Sequence, residues 1–224
     1  KISGLLFFLF SYVSLTVFVV YSWIKFPLFC LVIFLLISVV HFGRDWSEKN
    51  SLIGYAYGAF VLGAPAFFQP EEVERILQFL CLNEAVWIAT LFLKICFIAS
   101  VLFFVSIWRY ILFRNFSELV FLLLIGVILN PIWYFVIFFC LFHSARHFRK
   151  EIKDFSSEAT FGVFVCVVSL TIITFLSGLL IFFHFDIPGS FESRIFQILF
   201  IGLGALTVPH MLLMEFKRHR DILQ

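Results

Sequence analysis

Charge is scarce in this chain: Asp, Glu, Lys and Arg make up 13% of 224 residues, roughly half of what a soluble domain carries. Methionine is nearly missing, at two residues. The five cysteines, Cys30, Cys81, Cys96, Cys140 and Cys166, stand singly in apolar runs with no CxxC. That argues against a thiolate zinc or iron–sulfur site and reads them as small buried hydrophobes. What is abundant is apolar side chain: 62% of residues are hydrophobic, 21% are aromatic, and 35 are Phe. A soluble fold of this size cannot bury so much apolar surface. A cytosolic globular enzyme, a disordered chain and a nucleic-acid binder are excluded. The expected fold is all-α, a polytopic transmembrane helix bundle forming one domain over residues 1–224, with rigid rings walling any cavity.

Spanning helices need about 20 mostly apolar residues. The candidate runs are Gly4–Trp23, Phe26–Phe42, Ser51–Phe68, Ala85–Trp108, Glu118–Phe148, Phe161–His184 and Phe191–Met214. The first lacks a small-residue cleavage site and reads as a span, not a signal peptide. The start at Lys1 without Met points to an N-terminally truncated chain. Between the third and fourth runs, Glu71-Glu72-Val73-Glu74-Arg75 opens a short amphipathic piece. Glu118–Phe148 has 31 residues, about 46 Å as a helix and too long for one ordinary crossing. Asn130-Pro131 sits in its middle, and the residue before a proline is pushed out of helical geometry.

Charge decides whether that stretch crosses once or twice. With two crossings there are eight spans, and twelve of the sixteen basic residues fall on one side against three on the other. With one crossing the split is six against nine. The positive-inside rule prefers the first. The stretch is therefore expected to break near Pro131, with the twelve-charge side cytoplasmic. Trp133 and Tyr134, just after the break, read as interface anchors, and Lys94 as an in-span residue that snorkels.

On that map His41, His143, His147 and His210 fall in one layer near the cytoplasmic ends of three helices, whereas His184 lies at the opposite face and His219 in a basic tail. His143 and His147 are spaced i, i+4, so their side chains share a helix face. Polar groups within spans are expensive and mark function by default, which points to a metal site. Imidazole ligands suit Fe, Cu, Zn or Ni. Haem is disfavoured, because i, i+4 histidines on one helix face cannot flank a porphyrin from both sides. Asp45, four residues after His41, either orients the His41 ring as a hydrogen-bond acceptor or is a solvated loop acid beside Arg44. Glu215 reads as an interfacial charge pairing with Lys217 or Arg218.

His41-Phe42-Gly43 followed closely by an acid, His143-Ser144-Ala145-Arg146-His147-Phe148, and Pro209-His210-Met211-Leu212-Leu213 resemble the three recurrent motifs of the Brp/Blh family. That family comprises membrane-embedded bacterial and archaeal β-carotene 15,15'-dioxygenases. The motifs stand in the expected order from about Val40 to Glu215. The resemblance implies a non-haem Fe(II) enzyme that cleaves the central double bond of β-carotene with O2 to give two retinal molecules. It also implies His41, His143 and His147 as iron ligands, with His210 a ligand or close neighbour of the site. It further implies a multi-pass protein of the cell inner membrane, its product passed to a retinal-binding rhodopsin. Family members carry a Pro-His-Gly-like motif near the N-terminus, and nothing before His41 supplies it here. Either the chain is truncated or His210 completes the site.

Two non-catalytic readings stand beside this one: a membrane metal or proton transporter, and an opsin-associated structural protein. The transporter would want acidic partners within the spans, which are almost lacking. A di-iron desaturase needs more histidines, including adjacent pairs, than the six present. A retinal-binding opsin is disfavoured because the in-span lysine, Lys94, falls in a middle span.

Overall fold

In an apolar medium every backbone N–H and C=O must find its partner within the chain, so helices dominate and their ends need capping. The computed structural model describes residues 2–47, 50–81, 85–110, 113–151, 157–184 and 190–223. Side chains are described except at 2–9, 45, 110, 113, 114, 147, 150, 151, 157–164, 166, 167, 170 and 213–223. The helices are α1 (Ile2–Lys25), α2 (Pro27–Trp46), α3 (Ser51–Phe68), α4 (Pro70–Leu80), α5 (Trp87–Ser106), α6 (Phe113–Ile128), α7 (Pro131–Ile137), a π-helical segment (Phe138–Ser144), α8 (Ala145–Glu151), α9 (Ser157–His184) and α10 (Phe191–Leu223). No strand occurs among the described residues. Of these residues, Pro27–Arg44, Ser51–Phe68, Trp87–Ser106 and Phe191–Leu212 form helices long and apolar enough to cross a membrane. Shorter apolar helical stretches, Phe10–Lys25, Asn115–Ile128, Pro131–Ser144 and Thr171–His184, coincide with the other expected runs. The amphipathic piece expected at Glu71 is α4, which buries Val73, Ile76, Leu77 and Leu80.

The helices divide into two units. Residues 35–77 and 85–173 form one; residues 1–34, 78–84 and 174–224 form the other. In the first unit the expected break near Pro131 is present. The Asn130 side chain caps α7 by accepting from the Ile132 N–H at 3.0 Å, with Pro131 at the first helical position. The outgoing end of α6 is capped by Gln69, whose Nε2 donates to the carbonyls of Gly126 (3.0 Å) and Leu129 (2.6 Å). The chain turns back on itself here. Arg146 meets Glu118 at 2.5 Å, whereas an unbroken helix would hold those residues about 42 Å apart.

Helices α2 and α3 touch backbone to backbone. A Cβ on Gly43 would lie 2.2 Å from the Gly54 carbonyl oxygen, and one on Gly58 would lie 1.9 Å from that of Val39. Phe60 and Val61 of α3 pack with Phe97, Phe104, Leu122 and Phe138, all buried. Tyr134 corrects the sequence reading, because it is a core residue whose hydroxyl donates to the Val61 carbonyl at 2.9 Å. Its neighbour Trp133 does face outward, 64% exposed, since successive helical residues point about 100° apart. The cysteines are likewise mixed: Cys81 is buried, but Cys140 is exposed on the π-helical segment.

In the second unit α1 packs on α10, and the Tyr12 hydroxyl donates to the Leu206 carbonyl at 3.0 Å. Trp23 is buried edge-on against Phe34, their centroids 5.8 Å apart, where Gly204 leaves room for the indole. Large apolar side chains such as Leu102, Val105, Ile128, Leu141 and Phe183 face outward. Such a surface suits lipid and would be costly in water.

Two substitutions test this packing. Gly58→Ala is expected to lower stability by about 1–3 kcal/mol or more, because backbone must move to admit the methyl. Gly202→Ala, which meets nothing within 4 Å, leaves the melting temperature in detergent unchanged. Gln69→Leu strands two carbonyls at the end of α6 and is expected to cost about 1–3 kcal/mol, read in the same thermal assay.

Candidate functional site

His41 is the residue on α2 that lies between the two glycine contacts with α3. Val39 abuts Gly58, and Gly43 abuts Gly54. With no side chains between the two backbones, the depth and rotation of His41 are fixed by backbone contact. His143 comes from the π-helical segment Phe138–Ser144. Such widened turns are rare and occur often at functional sites.

The two imidazoles meet. Their ring centroids are 4.9 Å apart and their planes are inclined at 65°. His143 is buried, and aromatic rings surround it: Phe42 at 4.9 Å, Phe139 at 5.1 Å and Phe138 at 6.5 Å. His41 is partly exposed and lies 5.7 Å from Phe42. A paired set of nitrogen donors, remote in sequence and enclosed by apolar rings, can share a metal ion or hold a small polar ligand away from water.

The remaining sequence candidates stand as follows. His147 lies on α8, one turn beyond His143, and its side chain is outside the described residues. Asp45 is on α2, which runs unbroken through Gly43 to Trp46, so its backbone is one turn from His41. Its side chain is also outside the described residues. His210 belongs to the other unit, on α10 directly after the buried Pro209, and is partly exposed. Among the described residues no three His, Cys, Asp or Glu side chains converge as a metal-holding group.

One polar cluster escaped the sequence reading. In the same unit the Glu118 carboxylate takes hydrogen bonds from the Arg146 guanidinium and the Tyr57 hydroxyl. The Arg146 guanidinium carbon lies 5.8 Å from the centre of the Tyr57 ring. The Trp46 indole stacks on that ring at 4.6 Å, with planes 9° apart. The signal available in the sequence was a carboxylate heading an apolar run, a placement that demands a partner.

A family model described as beta-carotene 15,15'-dioxygenase matches residues 1–217. A beta-carotene 15,15'-dioxygenase from uncultured marine bacterium 66A03 is 30% identical over 207 residues, which cover 87% of this chain and 74% of that protein. No solved structure matches. The family match runs through both helical units and includes every histidine of the expected site, and the chain belongs to the beta-carotene 15,15'-dioxygenase family.

Proposed function

We propose that the chain cleaves β-carotene at its central 15,15' double bond with O2, giving two molecules of retinal. The cofactor in this reading is a non-haem Fe(II) held by His41, His143 and His147, with His210 as a further ligand or close neighbour. The observation that carries it is the meeting of His41 and His143 in an aromatic enclosure. The donor chemistry fits. Two imidazoles from separate helical segments stand with ring centroids 4.9 Å apart, and imidazole nitrogens suit iron. The relative from the marine bacterium carries the activity in its name.

Bound iron would supply the activation of O2. The residues of the chain orient and exclude. Phe42, Phe138 and Phe139 surround the His143 ring and give it an apolar setting. The glycine contact of α2 with α3 holds His41 in register, and the π-helical segment holds His143. Oxidative cleavage of an alkene needs no general base. β-Carotene is an apolar rod comparable in length to the hydrocarbon core, so it would enter from the bilayer. The reading places the protein in the cell inner membrane, its basic loops and histidines toward the cytoplasm, and passes retinal on to a retinal-binding rhodopsin.

In cells that accumulate β-carotene, expression is expected to bleach the orange pigment and yield retinal on chromatography. His41→Ala and His143→Ala abolish the product and the iron that copurifies, while His184→Ala keeps both. Pigment unchanged despite well-expressed protein, or equal loss in all three variants, would refute the assignment. Stripping the purified protein with a ferrous chelator is expected to stop cleavage, and adding Fe(II) back to restore it. Restoration by Zn(II) alone would exclude an iron enzyme.

A further inference from the structure

Resting on that iron reading, we propose that Glu118 and Arg146 are positioning residues for the histidine site, locking the π-helical segment that carries His143. A π turn holds one residue more than its α counterpart, so reversion to α geometry turns whatever follows by about 100° relative to what precedes. Nothing in the local sequence Phe138-Phe139-Cys140-Leu141-Phe142-His143-Ser144 favours the widened form. It must be held from outside.

The holding groups flank the segment. Before it, Tyr134 on α7 donates to the Val61 carbonyl of α3 at 2.9 Å. After it, Arg146 on α8 bonds Glu118 of α6 at 2.5 Å. The same carboxylate oxygen also takes the Tyr57 hydroxyl of α3. Tyr57 in turn stacks on Trp46, which lies on α2, the helix of His41. One carboxylate thus ties α3, α6 and α8 together and reaches α2 through the stack. The side chains of Arg146 and Glu118 are only 25% and 15% exposed. Surface ion pairs hold little geometry, but a sheltered carboxylate with two donors fixes the groups around it. Without the pair, α8 is free to turn, and His143 leaves the orientation that faces His41.

The test measures Fe(II) affinity of the purified protein in detergent, the EPR line shape of its nitric oxide adduct, and the melting temperature. Arg146→Ala and Glu118→Gln are expected to weaken Fe(II) binding about ten- to hundred-fold and to broaden or shift the EPR signal. Arg146→Lys, which keeps the charge and a donor, recovers most of the loss. Gln69→Leu, which loosens the opposite end of the same helical hairpin, measures bare destabilisation and leaves Fe(II) affinity at the wild-type value. Wild-type affinity and line shape in both Arg146→Ala and Glu118→Gln would overturn the proposal, as would equal iron loss in Gln69→Leu. If Arg146→Ala does not fold, Glu118→Gln against Arg146→Lys decides the matter. Wild-type protein that binds no Fe(II) overturns the iron reading itself, an outcome distinct from variants that keep their iron.

Discussion

Helix α6 ends where its last carbonyls have no partners of their own in the helix, and the chain must still reverse direction there. Two amides from different parts of the sequence solve this. Gln69 takes up the carbonyls of Gly126 and Leu129, and Asn130 caps the first turn of α7. A backbone group left without a partner is costly, so both caps strengthen the reversal that Asn130-Pro131 begins. From it follows the antiparallel return of α7 along α6. That return puts Tyr134 against Val61, Arg146 against Glu118, and the π-helical segment beside α2.

The histidine pair is built on rigid parts. His41 is set by a backbone contact between α2 and α3 that would not survive a single added methyl. His143 is set by a turn whose widening is pinned at either end. Metal ligands gain affinity when their orientation is fixed before the ion arrives, because the ordering entropy has already been spent in folding. The aromatic rings about His143 add no hydrogen bonds. They bury the His143 ring in an apolar setting.

Much of this architecture is legible in the sequence, for identifiable reasons. Long apolar runs announced α2, α3 and α5, and Pro131 together with the basic-residue asymmetry announced the reversal. The closeness of His41 and His143 followed from topology, since both fall near the same ends of neighbouring spans. The π-helical segment was not legible, because its widening is imposed by packing on α3 and α6 and no residue in it marks the change. Glu118 stood only as the start of an apolar run and Arg146 only as one of the basic residues, because a bond between residues 28 apart becomes visible only once the reversal is drawn. Tyr134 was read with Trp133 as an interface anchor because both follow Pro131, and local order gives no way to separate the two before α3 is in place.

The distribution of polar groups bears on the chemistry. A hydrolase or a proton-coupled transporter needs titratable side chains within reach of its substrate path, and spans that serve one carry them despite the cost. In the described unit holding His41 and His143, the acidic side chain that bonds across helices is Glu118, and it is committed to Arg146 and Tyr57. Committed in this way, the carboxylate fixes the geometry of the helices around it. The rings of Phe42, Phe138 and Phe139 lie around His143. An enzyme that only has to hold an ion, admit a gas and grip an apolar rod can dispense with acid–base groups at the reacting centre. Among the described residues of this unit, Gln69, Asn130, Tyr134, Tyr57, Glu118 and Arg146 cap helix ends or link one helix to another, which fixes the frame that carries His41 and His143.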